Sequence, residues 1–302
     1  MQIKSNPLVT SLKTAFIFLF ILSAFFSFTG NAFSAGDPGG FFKMRVIHTN
    51  DTHGNIRKTW KSGRSDISEI SAMREEINKK TPGSNILILD AGDFTDGKKR
   101  DPEAVAADMS AMAAAGYDAA ALGNHEVKIG IEKIKEISKN SNLPIVCANL
   151  TSKETGEYVF KPYIIKDFGG VKVGILGFST PKILESMNAD ELAKFNYAGI
   201  EDAYDKIIEK FKSECDVRIV LSHMGTDEDF KIAETHKKIK LIVGGHTPDP
   251  IDEPVFKSAC CVVNTGKYGI NVGMLDMTID PESFEIKSAD GVLKKVGDES
   301  EL

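Results

Sequence analysis

Val46-Ile47-His48-Thr49-Asn50-Asp51-Thr52-His53-Gly54 is an apolar, β-branched run that leads straight into Asn, Asp and His beside a glycine. A short run of that kind reads as a buried strand, and the polar cluster after it as the loop at its carboxyl end. The pattern recurs along the chain. NILILD (85–90) is followed by Ala91-Gly92-Asp93, and DAAAL (118–122) by Gly123-Asn124-His125-Glu126. VRIVL (217–221) is followed by Ser222-His223-Met224-Gly225, and KLIVG (240–244) by Gly245-His246-Thr247. In α/β sheets, ligands bind outside the carboxyl ends of the strands, so these ends are expected to meet in one crevice.

The segments between the strands have helical spacing. Ile67, Ile70, Met73 and Ile77 form one stripe. Residues 103–116 form an Ala-rich helix that ends at Gly116, and 130–139 and 201–214 read the same way. Strand alternating with helix predicts an α/β fold. PIVCANL (144–150), VKVGILGF (171–178) and CVVNT (261–265) supply further strands. Two places read as hairpins instead, one around Asp167-Phe168-Gly169-Gly170 and one at NVGMLDMTI (271–279) before Asp280-Pro281. The sheets are therefore expected to be mixed.

Asp, His and Asn without Cys make a hard-to-borderline metal site, suited to Mn, Zn, Fe, Co or Mg. Asp51 and His53 lie two apart and face the same way in an extended loop. Four of the six histidines (His53, His125, His223, His246) fall at strand ends. His48 lies just ahead of the same region, and His236 reads as a solvated helix residue.

The ordered set D-x-H (51–53), G-D (92–93), G-N-H-E (123–126), S-H-x-G (222–225) and G-G-H-T (244–247) resembles the calcineurin-like metallophosphoesterases. With IHTNDTHGNI (47–56) and NTGKYG (264–269), it is most similar to their 5′-nucleotidase and 2′,3′-cyclic-nucleotide phosphodiesterase branch. The resemblance implies a layered α/β/β/α sandwich with mixed sheets and two divalent metal ions. It implies that Asp51 and His53 hold the first metal, that Asp93 bridges both, and that Asn124, His223 and His246 hold the second. It gives His125, with Asn124 beside it, the catalytic position facing the phosphate. The implied reaction is hydrolysis of phosphate monoesters, nucleotides above all, by attack of metal-activated water. Neutral Asn and His ligands leave such a site positive within an acidic chain, which suits an anionic substrate.

Three features depart from the family pattern. Pro248 stands where a further metal ligand is expected, and it has no side-chain ligand to offer. Val127-Lys128 follow G-N-H-E where an acidic residue orients the catalytic histidine. The branch also carries a C-terminal domain that stacks the nucleobase, whereas the resemblance here spans 44–280, so loose leaving-group specificity is expected. A single-metal or non-catalytic binding protein on the same fold is the alternative reading.

The chain has 302 residues, 42% hydrophobic and 26% charged, with 37 Lys+Arg against 43 Asp+Glu. That composition excludes a disordered, collagen-like or polytopic membrane protein. An acidic balance argues against a partner such as a nucleic-acid polymer, which selects basic surfaces. Lys4 and Lys13 lie in a stretch without acids, AFIFLFILSAFFSF (15–28) is unbroken apolar sequence, and mostly small residues follow to Ala35. Residues 1–35 therefore read as a signal peptide, which predicts export to the periplasm or extracellular space with no stable membrane span after cleavage. Cleavage there leaves 35 Lys+Arg against 43 Asp+Glu, a net charge of −8. Residues 42–285 are expected to form the catalytic domain of a monomer, and 286–302 a frayed C-terminal tail. Cys147 reads as a buried hydrophobe, and a bridge from Cys215 to Cys260 or Cys261 is left open.

Overall fold

A computed structural model describes residues 40–58, 65–96 and 101–296. The segment 1–35, Trp60 and Lys98-Lys99-Arg100 lie outside the described residues. In chain order the elements begin β1 (Phe42–Thr49), α1 (Asp66–Lys80), β2 (Ile86–Asp90), α2 (Pro102–Ala115) and β3 (Ala119–Ala121). A 3-10 turn (Glu126–Ile129) leads to α3 (Ile131–Ser141), β4 (Ile145–Val146), β5 (Leu150–Ser152), β6 (Tyr163–Phe168) and β7 (Val171–Ser179). Then come α4 (Ile183–Ser186), α5 (Ala189–Lys194), β8 (Phe195–Tyr197), α6 (Ile200–Glu214) and β9 (Val217–His223). The chain continues through α7 (Thr226–Thr235), β10 (Leu241–Gly244), β11 (Val255–Lys257), β12 (Cys260–Val263), β13 (Asn271–Ile279) and β14 (Ile286–Lys295).

The long apolar runs form the parallel centres of two six-stranded sheets, where strands are covered on both faces. One sheet has the order β14-β13-β1-β2-β3-β4, the other β11-β12-β10-β9-β7-β6. In each, the parallel strands carry antiparallel ones at the edge: β13 and β14 in the first, β6 and β11 in the second. Both expected hairpins are present, as β6–β7 and β13–β14.

Alternate residues of the central strands point into different layers. Val46, Leu87, Leu89, Ile175, Ile219, Leu221 and Leu275 pack between the sheets. Ile47 and Ile88 face outward onto Ile70, Met73 and Ile77 of α1, Met109 and Met112 of α2, and Ile131, Ile134 and Ile137 of α3. On the other side Leu176, Val220 and Ile242 meet Ile207 and Phe211 of α6 and Ile232 of α7. The result is the expected α/β/β/α sandwich. Burial of each such Ile or Leu contributes about 1.5–3 kcal/mol, which locks the strand ends in place. α2 shows the local logic: Asp101 accepts from the Glu103 and Ala104 N–H groups, Pro102 opens the helix, and Gly116 closes it at φ 88°.

Two sequence expectations are corrected. The segment expected to fray from residue 286 instead forms β14 as far as Lys295, paired along β13 from Asn271↔Lys295 to Ile279↔Ile286. Backbone pairing and the buried Lys294–Glu69 ion pair (2.7 Å) hold this polar edge strand without a strong apolar pattern. His236 is not a solvated helix residue. It caps α7, stacks on Tyr204 with ring centroids 4.0 Å apart, and lies 3.2 Å from Glu201. The four cysteines are buried free thiols, so no bridge joins Cys215 to Cys260 or Cys261. Among the described residues no helix is long and apolar enough to cross a membrane.

Candidate metal centre

The loops after β1, β2, β3, β9 and β10 do converge, and they do so in strained backbone. Asp51, His53, Asp93 and His246 all adopt positive φ, between 49° and 71°. Bulky residues rarely occupy that region, and such strain persists only where surrounding structure enforces it. Here backbone bonds between loops do the enforcing. The N–H groups of Asp51, His53 and Gly54 donate to the carbonyls of Gly92, Asp93 and Phe94 at 2.8–2.9 Å. The loops are in such close contact that glycine is required at Gly123. A Cβ there would lie 2.2 Å from Asp93 Oδ1 and 2.4 Å from its backbone nitrogen.

Two compact groups of potential ligands share one carboxylate: His53, Asp93 and His125, and Asp93, His223 and His246. His223 is fully buried. Its Nδ1–H donates to the Ala91 carbonyl at 2.8 Å, which turns Nε2 toward Asp93 Oδ2 at 3.2 Å. His246 Nδ1 lies 3.3 Å from that same Nε2. On the other side His53 Nδ1 and His125 Nδ1 are 3.3 Å apart, with ring centroids at 4.5 Å, and both side chains are 19% exposed. His125 Nδ1 also lies 3.0 Å from the Asp96 carbonyl, and its backbone N–H donates to Asp93 Oδ1 at 2.8 Å.

Asp51 belongs to neither compact group, and Asn124 directly precedes His125 in the loop after β3. The buried Asn124 Oδ1 has no hydrogen-bond partner among the described residues. Asp51 Oδ1 is 3.8 Å from His53 Nε2, while Oδ2 accepts the His246 N–H at 2.7 Å and the Asn50 amide at 2.9 Å. All seven residues singled out by sequence are therefore in one site. His125 lies in the compact group with His53 and Asp93, and Asp51 links the two groups, with Oδ1 toward His53 and Oδ2 on the His246 N–H.

The electrostatics call for added positive charge. Burial raises the Asp51 carboxyl to about 6, against the pull of His223. Burial also opposes ionisation of Asp93, but the charges and hydrogen bonds of His223 and His125 hold it well below the usual carboxylate range. Burial would likewise keep His223 neutral, yet Asp93 and then Asp51 raise it to about 10. A proton on His223 thus does what a cation between Nε2 and Asp93 would do. Burial drives His53 and His246 down to about 4, so they are neutral imidazoles with free lone pairs at pH 7. Neutral imidazoles facing each other around a carboxylate, beside an orphaned amide oxygen, fit a divalent cation site.

Several residues of the site were not assigned a role by sequence reasoning. Glu126 is fully buried and accepts the N–H groups of Asp93, Thr95 and Gly123 at 2.9–3.0 Å. It ties the β2 and β3 loops together, and burial raises it to about 7. Its place within G-N-H-E was the available signal. The carbonyl of Asp96 meets His125 where an acidic side chain was expected, and no side-chain motif reports a carbonyl. Asn50 and Asn264 lace the β1 loop to NTGKYG: the Asn50 amide donates to Asn264 Oδ1 and the Gly266 carbonyl at 3.0 and 2.7 Å. Lys182, after β7, adds a positive charge that helps keep His246 neutral. Asp249, two residues beyond Thr247, is exposed and belongs to neither ligand group.

Comparison with known proteins finds relatives of this chain. A 5′-nucleotidase of Vibrio vulnificus is 28% identical over 227 residues, which is 70% of this chain and 41% of that protein. The chain thus spans about two fifths of the length of the curated relatives it matches. Among solved structures, a 5′-nucleotidase precursor from Thermus thermophilus superposes with a TM-score of 0.68 at 25% identity, covering 84% of this chain and 55% of that one. The calcineurin-like phosphoesterase YfkN of Bacillus subtilis superposes at 0.70 and 23% identity over 85% of this chain and 91% of that one, a likeness of fold. The family model for calcineurin-like phosphoesterase matches residues 44–250, a span that contains every ligand described above. By that match the chain belongs to the calcineurin-like phosphoesterase family, whose members use divalent metals.

Proposed function

We propose that this chain is an exported hydrolase of phosphate monoesters, with nucleoside 5′-monophosphates as its principal substrates, and that it works with two divalent cations. The observation that carries the reading is the pair of ligand groups sharing Asp93 at the carboxyl ends of five strands. The nucleotide part comes from the relatives' names, and export from the apolar segment 15–28 behind Lys4 and Lys13.

Asp51, His53 and Asp93 would hold one cation, and Asp93, Asn124, His223 and His246 the other. Two divalent ions there supply Lewis acidity, which lowers the pKa of water toward neutrality and offsets the charge of the phosphate. His125 keeps Nδ1 on the Asp96 carbonyl, which leaves Nε2 to donate to a phosphoryl oxygen or to protonate the leaving oxygen. Asp96 thus acts as a positioning group for the imidazole. Glu126 holds Asp93 through its backbone N–H, so that the shared carboxylate does not swing. An overall acidic chain can then receive an anion because its cations are concentrated at the strand ends.

The test is metal content of the purified mature protein, together with phosphate release from AMP and from 4-nitrophenyl phosphate, with and without Mn²⁺. The reading requires Mn²⁺-dependent release; metal-independent background on both esters would overturn it. Asp93→Asn should cut turnover about a thousandfold, since each cation is worth several kcal/mol of transition-state stabilisation. Unchanged turnover in that variant, with an unchanged thermal midpoint, would show that the chemistry lies elsewhere.

A further inference from the structure

Tyr268 is a large aromatic residue that the fold holds in a strained conformation without burying it. Its φ is 66°, and it is 46% exposed. Such backbone strain in a bulky residue marks a position fixed by its surroundings. Those surroundings are the metal-site loop itself. The Tyr268 N–H donates to the Asp51 carbonyl at 2.7 Å. Three residues earlier, the Thr265 N–H and Oγ1 both donate to Asn50 Oδ1 at 2.8 and 2.7 Å. Gly266 and Gly269, both at positive φ, let the chain turn on either side of the ring.

The ring itself is next to the chemistry. Its centroid is 5.4 Å from that of His53, at an interplanar angle of 51°. Ile270, two residues on, is 45% exposed as well. Lys267 Nζ stands 5.1 Å from the ring centroid, on a flexible stem that can yield the ring face to another planar group. The core does not need this ring: it contributes to none of the three apolar clusters.

We propose that Tyr268 is the stacking platform for the leaving group, and that the substrate class is phosphate esters whose leaving group carries a planar aromatic ring. This rests on the phosphomonoesterase reading above. The Tyr268 ring stands 5.4 Å from that of His53, within reach of the leaving group of a phosphate ester bound beside His53. An aryl group meets the platform directly, and a nucleobase reaches it across its ribose. Stacking on a π-face tolerates many bases, so discrimination is by the presence of a ring and not by its hydrogen-bonding edge.

The experiment compares AMP with ribose 5-phosphate, which share phosphate and sugar and differ in the base. KM is measured with Mn²⁺ for the full chain, Tyr268→Phe and Tyr268→Asn, the last because Asn tolerates positive φ and keeps the loop. The full chain and Tyr268→Phe should favour AMP by about tenfold. In Tyr268→Asn that ratio should fall to near one, whatever happens to the absolute values. A ratio that survives in Tyr268→Asn, or no preference in the full chain, overturns the proposal. If neither ester is turned over, the phosphomonoesterase reading fails by itself, and the same ratio taken as Kd by equilibrium dialysis decides the role of Tyr268. 4-Nitrophenyl phosphate against glycerol phosphate shows whether an aryl group suffices without a ribose.

Discussion

The two halves of the metal centre are built differently. The His223 half is the more sealed: His223 is fully buried with its Nδ1 fixed on the Ala91 carbonyl, while His246 is half-buried with its backbone N–H on Asp51. The His53 half is more open, with both imidazoles 19% exposed and the His125 ring resting on the Asp96 carbonyl. Pro248, two residues past His246, has no side-chain ligand to offer either half. On the two-cation reading proposed above, one shared carboxylate would serve two sites of unequal preorganisation. Ligands that are buried and themselves held by hydrogen bonds would keep an ion more tightly than ligands that are open to solvent.

The largest effect should separate the halves directly. His223→Asn should weaken the tighter cation about a hundredfold, on the scale by which supporting interactions tune metal affinity, while His53→Asn leaves that ion bound. Metal analysis after dialysis checks this, and equal loss in both variants would break the comparison. Next comes His48, which is buried at the end of β1 but belongs to neither half. Its imidazole lies against Gly273, where a Cβ would come within 2.1 Å of Nε2, and burial lowers it to about 3. The unfolded chain takes up a proton near pH 6.5 that the folded one refuses. Stability is therefore lost as pH falls from 6.5 toward 3, by about 2 kcal/mol at pH 5. His48→Leu should flatten that part of the acid limb in thermal unfolding. An identical limb would mean that acid sensitivity comes from the metal centre alone. The smallest effect should be in Pro248→His, which is expected to raise affinity for the weaker ion about tenfold. A metal titration that does not move would show that residue 248 does not reach the open half.

Much of this was legible because each strand carried its own label. An apolar run ending in Asp93, Asn124-His125, His223 or His246 marks both the strand and the end that matters, and parallel order then puts those ends together. Glu126 was visible as a residue but not as a hub, since accepting three backbone N–H groups leaves no pattern in side-chain spacing. The same holds for Asp96, which acts on His125 through its carbonyl. β14 was missed because Asp290-Gly291 and its lysines read as tail, whereas an edge strand needs little beyond a partner's free backbone groups. Tyr268 carries no signal of its own within NTGKYG; its φ and its distance from His53 set it apart.

The sequence by itself determined the α/β class, the ends of the strands that carry chemistry and the ligand types, because periodicity and residue chemistry are local properties; the layer order came with the family resemblance. Only the tertiary structure decided which ligands share Asp93, which half is sealed, and where the exposed, strained ring of Tyr268 stands beside His53. Those depend on loops from distant strands bonding backbone to backbone, and backbone groups are the same at nearly every position of a sequence.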